Sequence, residues 1–172
     1  MLRLVIAGIA AAFAASTTHA WAHVGLQPDN GTAGSVLETV LVIPHGCGAA
    51  ATTAVRVKIP PGVSAVEAQV KPGWTVQVKT RSPQPTGRDG KEPNGVEVDE
   101  VEWHGGTLPP DAPETFGFRM RLPDLPGLTL FLPTVQECGP VAERWIDVPT
   151  AGQRYETLRN PAPRIRLVPK SP

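Results

Sequence analysis

Twenty prolines and seventeen glycines punctuate this chain of 172 residues. Together they occupy about a fifth of all positions, against roughly 12% in average usage. Proline removes a backbone donor and clashes with the preceding helical turn, and glycine loses the most backbone entropy on ordering. At this density long helices do not survive, so a helical bundle and a coiled coil are excluded. Charge excludes more: 16 Lys and Arg balance 16 Asp and Glu, with no basic block to grip nucleic acid or an anionic membrane. Two cysteines are too few for a disulfide-dense mini-protein or a thiolate zinc module.

Residues 1–22, MLRLVIAGIAAAFAASTTHAWA, have the pattern of an export signal. Arg3 supplies the positive start, Leu4 to Ala15 the apolar run, and Ala20-Trp21-Ala22 the small-x-small cleavage site. The run is too short to cross a bilayer core of about 30 Å, so it reads as a cleaved leader and not an anchor. Cleavage after Ala22 makes His23 the new N-terminal residue and sends the mature chain, with no membrane anchor, to the periplasm. The remaining organisation is one domain over residues 23–159 and a Pro-rich tail over residues 160–172.

Period-two alternation recurs along the domain, which is the signal of half-buried strands. Val55, Val57 and Ile59 alternate with Arg56 and Lys58; Trp74, Val76 and Val78 with Thr75, Gln77 and Lys79; Phe116, Phe118, Met120 and Leu122 with Thr115, Gly117, Arg119 and Arg121. Segments 36–43, 96–103, 128–132 and 141–148 are less regular strands. In 96–103, Val96 and Val98 give way to Val101 and Trp103, a parity slip that predicts a bulge. Turn dipeptides such as Asn30-Gly31, Pro72-Gly73 and Pro126-Gly127 separate the runs. The fold class is therefore all-β, an antiparallel sandwich. The polar segment 81–95 reads as a hairpin insertion. Cys47 and Cys138 form an even pair in an exported chain and read as a disulfide; the competing use, as soft ligands for Cu(I), needs reduced thiols that this compartment disfavours.

Few groups remain to carry chemistry. An N-terminal histidine can close a chelate ring on one metal ion through its free amine and its own Nδ1, which an internal histidine cannot do because its nitrogen is an amide. Two such nitrogens suit Cu(II), which prefers tetragonal nitrogen and oxygen donors. Glu114 shares the parity of Phe116 and Phe118 and so points to the apolar side, where a carboxylate needs a partner. An arginine, a loop of backbone amides or a cation would each serve. Trp145 is odd in another way: Ile146 and Val148 define one face of their strand, which leaves the indole with Glu143 and Asp147 on the other, to cover a second small core or to roof a site. His45 and His104 sit in loops, where histidines ordinarily make hydrogen bonds and can also ligate. There is no nucleophile elbow, zincin helix or phosphate loop in the sequence.

The order of segments carries a family resemblance. A leader ends just before His23-Val24, then come Pro28, Pro44-His45-Gly46-Cys47, Val70-Lys71-Pro72-Gly73-Trp74, Trp103-His104-Gly105-Gly106, Glu114-Thr115-Phe116-Gly117-Phe118, Gln136-Glu137-Cys138 and Arg144-Trp145-Ile146. The chain resembles the YcnI-like DUF1775 family of exported copper-binding proteins over essentially its whole mature length. That resemblance implies a cupredoxin-like or immunoglobulin-like sandwich that holds Cu(II) in a monohistidine brace. It implies that His23 provides amine and imidazole, that Glu114 completes the ligation, and that Trp145 lies beside the metal. It further implies a binding protein without turnover, a copper chaperone or buffer, whose partners are copper and other exported copper-handling proteins. Two alternatives stand beside it: a brace-copper redox enzyme, and a metal-free structural or interaction sandwich.

Overall fold

The alternating segments fold as strands with the faces that their parity assigns. The computed structural model describes residues 23–82 and 96–171. The proposed leader and most of the 81–95 insertion lie outside the described residues. The strands are β1 (Gly25–Gln27), β2 (Asn30–Thr32), β3 (Val36–Ile43), β4 (Thr52–Lys58), β5 (Ser64–Ala68), β6 (Thr75–Arg81), β7 (Glu97–Leu108), β8 (Glu114–Arg121), β9 (Thr129–Phe131), β10 (Thr134–Cys138), β11 (Val141–Trp145) and β12 (Arg164–Val168). Among the described residues the one helical segment is a single 3₁₀ turn, Tyr155–Thr157, as the density of breakers requires.

One sheet has the order β1-β3-β8-β5 and a second the order β11-β10-β4-β7-β6. All pairings within these two are antiparallel. Their inner faces make the core. Val55, Val57 and Ile59 are fully buried, as are Phe118 and Met120 with Phe116 and Leu122 close behind. Trp103 of the second sheet packs against Phe116 and Phe118 of the first, with ring centroids 5.3 and 4.9 Å apart. Each such ring contributes about 1.5–3 kcal/mol when it leaves water. The Trp103 indole N–H donates to the Gln69 carbonyl at 3.1 Å, so its one polar atom is not stranded. The outer face of the second sheet is laced with ion pairs, Lys58 to Asp99 and Lys79 to Glu100, both at 2.7 Å. The parity slip is a bulge: Lys79 pairs with Glu100 and Thr80 with Val98, which leaves Asp99 unmatched.

Two sequence expectations need correction, and a third is sharpened. His104 is not in a loop but within β7, opposite Ala54 and Thr75, because this strand runs on through Gly105 and Gly106. The Pro-rich segment after Asn160, expected as a tail, runs extended along the domain and forms a strand there. Its β12 pairs in parallel with β2 and antiparallel with β9, as a third, three-stranded sheet. Ala162 and Ile165 are fully buried there. Prolines bracket this strand without interrupting its hydrogen-bonding positions. Finally, Trp145 lies on the buried face of β11, 5% exposed, while Ile146 and Val148 are more than 40% exposed. Two aliphatic residues suggested the opposite face, but they fall beyond the end of the edge strand, and one indole buries more apolar area than either.

The disulfide joins Cys47 to Cys138, with Cα atoms 6.0 Å apart. It ties the loop after β3 to the end of β10.

Candidate functional site

Strand register brings β1, which follows His23, and Glu114 to one end of the first sheet. Gly25, two residues after His23, pairs with Val42 near the end of β3. On the other side of β3, Ile43 pairs with Glu114. β1 and β8 therefore flank β3 on opposite sides, two strand spacings or about 9–10 Å apart. Both side chains are accessible: His23 is exposed, and the Glu114 side chain is 37% exposed because it opens its strand at the sandwich rim.

The carboxylate has a partner. Lys71 Nζ lies 2.8 Å from Glu114 Oε1, and the same oxygen accepts the Thr115 backbone N–H at 2.8 Å. Lys71 first, and then that amide, hold the Glu114 carboxyl below the ordinary glutamate range. Both contacts fall on Oε1, so among the described residues Oε2 has no protein donor. Lys71 is presented by a tight turn in which Trp74 N–H donates to the Lys71 carbonyl at 3.0 Å. Pro72 sets the first corner and Gly73, at φ 79°, takes the left-handed second corner that a side chain would strain. The lysine also lies over the Phe116 ring, 5.2 Å from its centroid.

Trp145 approaches from the facing sheet. Its ring meets the His23 imidazole edge-on, with centroids 5.7 Å apart and planes at 68°. The indole N–H donates to Gln136 Oε1 at 3.3 Å. Gln136 is fully buried, and its Nε2 donates to the His45 carbonyl at 2.6 Å and to Thr52 Oγ1 at 2.8 Å. His45 Nδ1 is itself occupied with the Gly46 carbonyl at 2.7 Å, so its ring serves the loop and not His23. His104 is on the outward side of β7, since neighbouring Trp103 points inward.

His23 also borders a cleft of about 210 Å³ with Asp29, Tyr155 and Arg164. The Arg164 guanidinium stacks 3.7 Å from the Tyr155 ring centroid, and the Tyr155 hydroxyl donates to the Ala162 carbonyl at 2.9 Å. Burial raises the Tyr155 pKa, so that hydroxyl stays a neutral donor.

Of the residues that sequence singled out, the fold thus joins His23 to Trp145 by direct contact and sets Glu114 at the same sheet end. It leaves His45 and His104 in other roles. Among the described residues no three His, Cys, Asp or Glu side chains converge as a metal-binding group. A site made of one terminal amine, one imidazole and one carboxylate needs no such triplet. Sequence reasoning missed Lys71 and Gln136. The second carried a signal, since Gln136 has the inward parity of Cys138 in a short alternating segment.

The model of a protein family described as a domain of unknown function, DUF1775, matches residues 23–167. The chain belongs to the DUF1775 family. No curated protein matches it. Among solved structures, this DUF1775 chain is similar to an uncharacterized protein from Nocardia farcinica described as having an immunoglobulin-like fold, at 23% identity and TM-score 0.64. That match covers 85% of this chain and 98% of the other, and it establishes the fold alone. A putative membrane anchored protein from Corynebacterium diphtheriae matches at 9% identity and TM-score 0.42, over 87% of this chain and 37% of that one.

Proposed function

We propose that this DUF1775 protein is an exported, periplasmic Cu(II)-binding protein that buffers or hands over copper without turnover, using His23 as its mature N-terminus. The observation that carries the reading is the contact of the Trp145 ring with the His23 imidazole, near the sheet end at which Glu114 opens β8. β1, which follows His23, pairs with β3 at the end where Ile43 meets Glu114, and Trp145 touches the His23 ring from the opposite sheet. The donor set suits the metal: an amine and an imidazole offer two nitrogens from one residue, and the uncommitted Oε2 of Glu114 offers a hard oxygen. Trp145 shields one side of the imidazole from water. The Cys47–Cys138 bridge fits an oxidising compartment. A carboxylate as third donor, in place of a second imidazole, favours Cu(II) and works against redox cycling.

One observation favours a second reading, a metal-free structural or interaction sandwich: Lys71 already neutralises Glu114. Calorimetric titration separates the two. Protein verified to begin at His23 is expected to bind one Cu(II) tightly, and protein with one added N-terminal residue or an acetylated amine is expected to lose that binding. Unchanged affinity after extension would refute the brace, and no binding by either form would leave the metal-free sandwich. Copper-dependent peroxide formation in the presence of reductant would replace both with the enzyme.

A further inference from the structure

A fully buried glutamine is uncommon, because its amide must leave water and be satisfied inside the protein. Gln136 meets that requirement with three hydrogen bonds whose polarity admits one orientation only. Its Nε2 faces the His45 carbonyl, which can only accept, and its Oε1 faces the Trp145 indole N–H, which can only donate. Turning the amide over would set oxygen against oxygen and N–H against N–H. The indole is therefore held at its polar edge by a group that cannot exchange ends. An aliphatic residue would fill the volume but leave the ring free to shift.

The far end of this link is anchored too. His45 and Gly46 precede Cys47, which is bonded to Cys138, and Cys138 lies two residues along β10 from Gln136 itself. The Gly46 N–H donates to the Pro110 carbonyl at 2.8 Å, and Cys47 exchanges backbone hydrogen bonds with Ala50. The His45 carbonyl is thus a fixed acceptor. At the near end, Trp145 is the aromatic ring that touches the His23 imidazole among the described residues. A continuous chain of contacts runs from the disulfide loop through Gln136 to Trp145 and on to His23.

We propose that Gln136 is a positioning residue for the His23 site: by clamping the Trp145 indole between the disulfide loop and the imidazole, it sets the orientation in which His23 presents its ring to a metal. This rests on the copper reading given above. Groups that orient a metal-binding histidine from outside the ligand set typically change metal affinity by 10–100-fold when removed. The clamp acts through packing on the ring and not through a hydrogen bond to it, so the low end of that range, about tenfold, is expected.

The test uses protein that begins at His23 and two readouts. In metal-free protein, nuclear magnetic resonance should show a ring-current shift on the His23 imidazole protons from Trp145. Gln136→Met is expected to lose most of that shift while the protein stays folded, and to raise the Cu(II) dissociation constant about tenfold. Trp145→Phe should weaken Cu(II) binding to a similar degree, and the double variant should be no weaker than Trp145→Phe alone, because Gln136 acts through the indole. A folded Gln136→Met protein with an intact His23 shift would overturn the proposal, as would losses that simply add in the double variant. If Gln136→Met does not fold, the isosteric Thr52→Val removes one of the two acceptors of Nε2. It should reduce the His23 shift in the same direction, and no change would refute the clamp. Absence of Cu(II) binding by the unmodified protein would sink the copper reading, whereas the metal-free shift would still decide the role of Gln136.

Discussion

Replacing Lys71 with methionine should strengthen copper binding while it slightly weakens the fold. Lys71 Nζ sits 2.8 Å from Glu114 Oε1, and the two side chains are 18% and 37% exposed. A metal at Glu114 must either displace this ammonium or accept a cation as a near neighbour, and both oppose binding. Pairs with this degree of solvent contact are worth about 0.2–1 kcal/mol, and a lysine this well covered belongs in the upper half of that range. Relieving the competition should lower the Cu(II) dissociation constant about two- to fivefold. Methionine keeps an apolar stem over Phe116, so the ring stays covered. Calorimetry of both proteins, each beginning at His23, measures the affinity, and urea unfolding without metal measures the stability. Lys71 first, then the Thr115 amide, depresses the Glu114 carboxyl in the folded protein. Its contribution is therefore fully present above the ordinary glutamate value of about 4.3 and disappears as pH falls through the depressed folded-state value. The stability gap between wild type and Lys71→Met should accordingly be present at pH 7 and close in acid. Unchanged or weaker Cu(II) binding in Lys71→Met would refute the placement of the metal at Glu114. A stability gap that widens in acid would refute the ion-pair argument.

Removing the disulfide by Cys47→Ser with Cys138→Ser releases a loop spanning 91 positions, and on the chain-entropy account stability should fall by roughly 4–5 kcal/mol. A loss under about 1 kcal/mol in urea unfolding would mean that the bridge adds little to constraints already present in the unfolded chain. Gly106→Ala places a methyl group against the Trp74 indole, with an expected cost of about 1–3 kcal/mol and a shift in tryptophan emission. Because Trp74 closes the turn that presents Lys71, the same variant should move Cu(II) affinity in the direction of Lys71→Met. Stability and emission both unchanged would show that the close approach of ring and backbone is not tight.

Much of the fold was legible because strand faces are a local property. Phe116, Phe118, Met120 and Leu122 repeat at a period of two, and burial follows directly from that spacing. The bulge at Asp99 was visible as a parity slip for the same reason. Trp145 was read onto the wrong face because parity counts residues, whereas burial weighs area, and the edge strand ends at that residue. The pairing of the Pro-rich tail is not legible because its parallel partner, β2, lies more than a hundred residues earlier, and no local pattern announces such a pairing.

The sequence by itself therefore determined the all-β class, the inward and outward faces of the regular strands, and the pairing of the two cysteines. It also marked His23, Glu114 and Trp145 as residues out of keeping with their surroundings. Tertiary structure decided what surrounds them: Lys71 on Glu114, the Trp145 ring on His23, and Gln136 bridging to a carbonyl 91 positions away. The division has a physical cause. Alternation and turn chemistry act between neighbours along the chain and are written in order. An ion pair or a buried amide network depends on which strands lie side by side and in what register, and that is settled only when the two sheets close on each other.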